Sequence, residues 1–167
     1  MPGRSRFWAA VFLVALVAGS LLAQDRTAEL RARFEKENDP VRKARLVEPL
    51  ADSEFREMHQ KIDDGNLPDA AEIAGRVRDE AAASKKSLDG KIRDPEAHPE
   101  GYKQLEISVR VSVRRLDDIM VSLAKDDQAP LAEVRKDLDE LNRQLIHQLF
   151  PKRPEPAPTT TPEKPKS

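Results

Sequence analysis

The stretch "LEISVRVSVRRL", residues 105–116, decides between helix and strand for the whole chain. Its apolar residues alternate with polar ones from residue 107 to residue 113, as in a half-buried β-strand. A strand needs a partner, however, and no second alternating run occurs in the sequence. With a helical period, the same stretch belongs to a stripe with spacings of three and four. That stripe comprises Tyr102, Leu105, Val109, Ser112, Leu116, Ile119 and Leu123. The sequence therefore predicts a helix here, from about Glu100 to Ala124, and an all-α protein.

A matching stripe follows in the next segment, which we predict to be helical from about Ala129 to Phe150. Its apolar positions are Leu131, Val134, Leu138, Leu141 and Leu145. Two helices with such stripes and a short connection favour an antiparallel hairpin of the coiled-coil type. We expect Asp126 and Asp127 to cap the second of these helices, because aspartate is favoured at helix starts.

Three further helices are predicted upstream. The first runs from Thr27 to about Glu37, and the second runs from Val41 to about Asp64 and bends or breaks near Pro49. The third runs from Leu67 to Leu88, and residues 90–101 form a loop rich in proline. The apolar stripe of the third helix is Ala70, Ile73, Val77, Ala81 and Leu88. Residues 24–150 are thus predicted to form an all-α bundle of four to five helices with a C-terminal antiparallel hairpin and no sheet.

The amino-terminal segment "RSRFWAAVFLVALVAGSLLAQD", residues 4–25, has two arginines, an apolar run and small residues in the order of a secretory signal peptide. We predict a signal over residues 1–23 with cleavage after Ala23; cleavage after Ser20 and an uncleaved anchor are the alternatives. Its apolar run, residues 7–23, has 17 residues and is shorter than the roughly 20 apolar residues of a membrane span. We therefore expect an exported protein, periplasmic or extracellular, that meets the membrane only transiently through its signal.

The other end of the chain, "PKRPEPAPTTTPEKPKS" over residues 151–167, is rich in proline and contains no large apolar residue. Such a composition predicts an extended, disordered tail. It is either a solvated end without a role or a spacer that touches a polymer of the cell envelope.

The chain offers little for catalysis or nucleic-acid binding. Its 29 basic and 30 acidic residues nearly balance, which gives no electrostatic reason to expect nucleic acid. It has no cysteine, no serine in a nucleophile elbow and no phosphate-binding loop. His59 and Asp63, four apart on one helix, are the one candidate metal pair, but two ligands leave a coordination shell mostly unfilled. We expect no enzyme, no cofactor and no metal.

One patch has no place in the hairpin stripe. Ile107 and Val111 lie on the opposite side of their helix, with Arg114 and Asp118 beside them. Either the second and third helices cover these apolar residues, or the patch meets a protein partner or a second copy. The hypothesis is an exported, non-enzymatic protein that acts through protein contacts as a scaffold, adaptor or chaperone-like module. A ligand- or metal-binding sensor bundle that uses His59 and Asp63 is the alternative.

Two resemblances accompany this interpretation. The segment "GNLPDAAEIAGRV", Gly65 to Val77, is similar to the turn and second helix of a tetratricopeptide repeat, and it covers one half-repeat. The signal, the start "NDPVRKARL" and the hairpin segment "RRLDDIMVSL" resemble uncharacterised secreted helical proteins of bacteria. The second resemblance implies a helical fold and export but no activity.

Overall fold

The computed structural model describes residues 26–151, which form five α-helices. Helix α1 covers residues 26–36, and it is followed by α2 (Pro40–Asp63), α3 (Leu67–Lys91), α4 (Glu100–Ser122) and α5 (Ala129–Leu149). A short 3₁₀ turn, Lys125–Asp127, precedes α5. No strand occurs between residues 26 and 151, so the prediction of an all-α bundle is confirmed. The predicted signal peptide, its cleavage site at Ala23 and the tail beyond Pro151 lie outside the described residues.

Local signals at the helix starts act as the sequence indicates. The Asp39 side chain accepts a hydrogen bond from the backbone N of Arg42 at 2.8 Å, and Pro40 takes the first helical position of α2. The turn into α3 contains Gly65 at φ 73°, a left-handed conformation that glycine adopts without strain. Asn66 then caps α3 by accepting from the N of Asp69. The predicted starts of these two helices, Val41 and Leu67, therefore agree with the observed starts to within one residue.

Two local predictions are wrong, the break near Pro49 and the cap by Asp126 and Asp127. Helix α2 runs unbroken through Pro49, because one missing backbone donor is outweighed by an apolar face that stays buried on both sides of the proline. Asp126 and Asp127 do not cap α5, because they lie in the 3₁₀ turn and no side chain caps its start. Instead, Gln128 Nε2 donates to the carbonyl oxygens of Met120 and Leu123, at 2.8 and 3.1 Å, and so closes the end of α4.

The helices form two antiparallel hairpins, α2–α3 and α4–α5, that stack side by side. Helix α2 lies next to α4 and α3 next to α5, each pair running parallel. The contacts that fix this order are Glu48 with Gln104 and Asp52 with Arg115 between α2 and α4, and Arg78 with Asp137 and Asp89 with Gln148 between α3 and α5. Parallel stacking of like helices is how hairpin repeats pack, although here there are only two hairpins.

The predicted stripes line the shared core. Every stripe position of α3 and α5 is buried, and so is every stripe position of α4 except Leu123, which is partly buried against the core. Helix α1 covers the outer side of the α2–α3 hairpin, where Phe34 is buried beneath the Lys43 ammonium, 4.6 Å from its ring centroid. The predicted C-terminal hairpin is confirmed, and its core face points away from Ile107 and Val111.

Candidate protein-binding surface

The outward side of α4 carries the apolar pair Ile107 and Val111, which are 41% and 37% exposed. The interpretation in which α2 and α3 cover this pair is therefore wrong. Helix α2 reaches one flank of α4 through the Asp52–Arg115 ion pair, and α5 reaches the other flank through Arg135 and Asp117. Because both neighbours attach at the flanks and α3 lies behind the core, the outer side stays open.

Charged residues flank the apolar pair along the same side of α4, and we call the pair and these charged residues together the outer stripe. At 100° per residue, every member lies within about 40° of Ile107 around the helix axis. The stripe consists of Glu100, Lys103, Ile107, Val111, Arg114 and Asp118, all exposed. The sequence had placed its last four members together, and the structure adds Glu100 and Lys103. Val121, 87% exposed, extends the same side toward the end of the helix.

Most charges of the outer stripe are free to meet a partner. Lys103, Arg114 and Asp118 form no ion pair with any residue in the described range 26–151. The arginines on the flanks differ: Arg110 pairs with Glu106 and Arg115 with Asp52, both at 2.9 Å. Glu100 faces Arg45 at 3.6 Å in an exposed pair that contributes little. The flanks are thus occupied, whereas the stripe between them is largely uncommitted.

The candidate metal pair gains no third ligand from the part of the chain that the structure describes. His59 and Asp63 are both exposed on α2, one turn apart. Within residues 26–151, no group of three or more histidine, aspartate or glutamate side chains is arranged to hold a metal ion. The other two histidines, His98 and His147, are exposed at the opposite end of the bundle and do not approach this pair.

A buried charge cluster, which the sequence analysis missed, joins the first three helices. Glu54 of α2 is fully buried and accepts a hydrogen bond from Arg31 Nη2 of α1 at 2.5 Å. Arg76 of α3 approaches the same carboxylate, with 3.5 Å between Nε and Oε1, and Arg31 Nε also reaches Glu80 of α3 at 3.4 Å. The sequence does contain an indication of this buried charge, since Glu54 interrupts the apolar row of α2 formed by Val47, Leu50 and Met58.

The two carboxyl groups of this cluster share a low-dielectric site. Burial and the negative charge of Glu54 together raise the pKa of Glu80 to about 8, against the opposing effect of Arg31. Glu80 is therefore protonated at neutral pH. The guanidinium groups of Arg31 and Arg76 are then balanced by Glu54 and by Glu57, which lies 3.7 Å from Arg76. The cluster therefore holds α1 against α2 and α3.

A second polar junction closes the other end of the bundle. Asp89 of α3 accepts from the Tyr102 hydroxyl of α4 at 3.0 Å, from Gln148 of α5 at 3.1 Å and from Lys85 at 2.6 Å. Burial alone would raise the pKa of Asp89, but these hydrogen bonds hold it below its ordinary value. Since its acceptor oxygens are already engaged, Asp89 serves to tie three helices together.

Comparison with protein-family models, with curated proteins and with solved structures found no match for this chain. Among residues 26–151, none of the helices combines the length and the apolar character that crossing a bilayer requires.

Proposed function

We propose that this chain is an exported, non-enzymatic helical protein that acts through protein contacts, with the outer stripe of α4 as its contact surface. One observation carries the proposal. Two large apolar side chains, Ile107 and Val111, are exposed at the centre of a helix whose other apolar stripe is buried. Apolar side chains ringed by uncommitted charges are typical of protein-binding surfaces.

The chemistry of the stripe suits recognition. It combines aliphatic side chains with ammonium, guanidinium and carboxylate groups, which pair with opposite charges on a partner and set its orientation. The helix beneath is rigidly held, because Tyr102, Leu105 and Leu116 on its other side are fully buried. A rigid helix that displays a preformed face is suited to a scaffold, an adaptor or a chaperone-like module, because little ordering entropy is lost on binding.

Site-specific photo-crosslinking tests the contact surface. We expect a crosslinker in place of Val111, in the cells that produce the protein, to yield a defined adduct that disappears when Ile107→Glu is added. A crosslinker at Lys136, exposed on α5, is the matched control and should not yield that adduct. No adduct at Val111, or the same adduct at both positions, would contradict the proposal.

Export is the other half of the proposal, and it is supported by the signal-like order of residues 4–25. Cell fractionation should place the protein outside the cytoplasm, and amino-terminal sequencing should begin at Gln24. A start at Leu21 would move the cut to the position after Ser20. An intact amino terminus in the membrane fraction would indicate an uncleaved anchor, and an intact protein in the cytoplasm would refute export.

The sensor alternative makes a different prediction. A metal held by His59 and Asp63 would stabilise the folded state by mass action, so that added zinc, copper or calcium would raise the melting temperature. That rise would have to vanish in His59→Ala. An unchanged melt removes this alternative and leaves the proposal of a contact surface standing.

A further inference from the structure

We propose that the outer stripe recognises a helix of another protein with the reverse order of charges, and that the same order keeps copies of this chain apart. This inference rests on the proposed function and deepens it. The stripe is nearly a palindrome about Val109. Glu100 and Asp118 lie nine residues before and after it, Lys103 and Arg114 lie six before and five after, and Ile107 and Val111 lie two on either side.

Self-pairing brings like charges together in both orientations. If two copies of α4 pack antiparallel with their apolar pairs in contact, Glu100 faces the second copy's Asp118 and Lys103 faces its Arg114. If they pack parallel, every charge faces its own equivalent. Like charges in direct opposition are destabilising and suppress the wrong partner. The exposed apolar pair is therefore protected against pairing with itself.

The complementary partner follows from the same spacing. It is an amphipathic helix with two aliphatic residues one turn apart, carboxylates about one turn further out and basic residues about one turn beyond those. Its carboxylates meet Lys103 and Arg114, and its basic groups meet Glu100 and Asp118. The stripe spans about 27 Å along the axis, so the matching helix needs about five turns. The pairs of Arg110 with Glu106 and of Arg115 with Asp52 keep the flanking cations from disturbing this order.

The protein itself supplies the test partner. The exported chain with Glu100→Lys, Lys103→Glu, Arg114→Glu and Asp118→Lys carries the reverse charge order, and all four positions are exposed, so the fold should persist. We expect wild type alone and the reversed variant alone to stay monomeric in sedimentation velocity. Their equimolar mixture should associate at least tenfold more tightly than either alone, about 1.4 kcal/mol. The association should weaken with salt and be lost with Ile107→Glu in either chain.

A half-reversed variant gives an independent reading. Glu100→Lys with Lys103→Glu makes the stripe self-complementary, since an antiparallel pair then sets Lys against Asp118 and Glu against Arg114. This variant should form a homodimer where wild type does not. Two results would overturn the proposal that the order of charges selects the partner. One is wild type that associates as tightly as the half-reversed variant, and the other is a mixture that associates no more tightly than its components. An adduct at Val111 that persists despite such results would leave the contact surface intact, so the two proposals fail separately.

Discussion

At the scale of single residues, Glu80 makes the stability of the fold depend on pH. Its pKa is raised by burial and by Glu54 to about 8, against an ordinary value of 4.5. A carboxyl group with a raised pKa contributes stability below its ordinary pKa, and that contribution is lost as pH rises through the folded-state value. Asp52 and Asp89 have lowered pKa values, so their contributions are lost only under acid conditions, as pH falls through and below the ordinary value of 3.8.

The free energy of unfolding of the wild type should therefore decrease as pH rises from 4.5 to about 8. Glu80→Gln keeps the neutral shape of the protonated side chain, so its stability should be nearly flat over this interval. Urea denaturation at several pH values measures both slopes, and Glu133→Gln on the exposed side of α5 is the control. A wild type with no slope, or a variant with the same slope, would contradict the assignment.

Gly101 is a second residue whose identity the packing requires. A Cβ at Gly101 would lie 2.5 Å from Cδ2 of Leu88 and 3.4 Å from Cα of Val41, and Leu88 is fully buried, so a shift of its side chain would disturb the packing around it. We expect Gly101→Ala to lower the free energy of unfolding by about 1–3 kcal/mol through overpacking. Gly90→Ala meets nothing within 4 Å and should stabilise α3 by up to about 1 kcal/mol. Equal effects in urea denaturation would refute this contrast.

At the scale of elements, α4 has one face that packs in the core and one face that is exposed to solvent. Its hairpin stripe is buried in the core shared with α5, while Ile107 and Val111 project outward. Substitutions one or two residues apart should therefore have very different costs. The difference distinguishes a contact surface from a core position without knowledge of the partner.

The double variant Ile107→Glu/Val111→Glu should retain its helical circular dichroism and change the free energy of unfolding by no more than about 0.5 kcal/mol per site. Val109→Glu, between them in sequence but 1% exposed, should cost several kcal/mol because it buries an unpaired charge. Loss of helicity in the double variant would show that the apolar pair belongs to the core after all.

At the scale of the whole molecule, two hairpins share one core and α1 closes the side of the first. The closure depends on Arg31, which lies between Glu54 of α2 and Glu80 of α3. The end of α4 is closed in turn by Gln128, and the far end of the bundle by Asp89. The junctions at Arg31 and Asp89 link helices that are distant in sequence, whereas Gln128 acts locally, eight residues from Met120.

Arg31→Met should lower the free energy of unfolding by about 1–3 kcal/mol, because the fully buried Glu54 loses its charged hydrogen-bond donor while Arg76 stays 3.5 Å away. Arg33→Met, two residues away and exposed, should have little effect. Limited proteolysis should also cut α1 first in the Arg31 variant, since the ion pairs of α1 with both helices of the hairpin are gone and the burial of Phe34 remains. Equal stability of the two variants would contradict the role of the cluster in holding α1 against α2 and α3.

The sequence by itself determined the helices, their stripes and the C-terminal hairpin, because spacings of three and four are a local property of the chain. Buried Leu105, Leu116 and Leu138 were readable in this way. The order of the helices decided the rest. Whether Ile107 and Val111 are covered depends on which flanks α2 and α5 occupy. The meeting of Arg31, Glu54 and Glu80 depends on how three helices fold onto one another. Contacts of this kind join residues far apart in sequence, and only the tertiary structure brings them together.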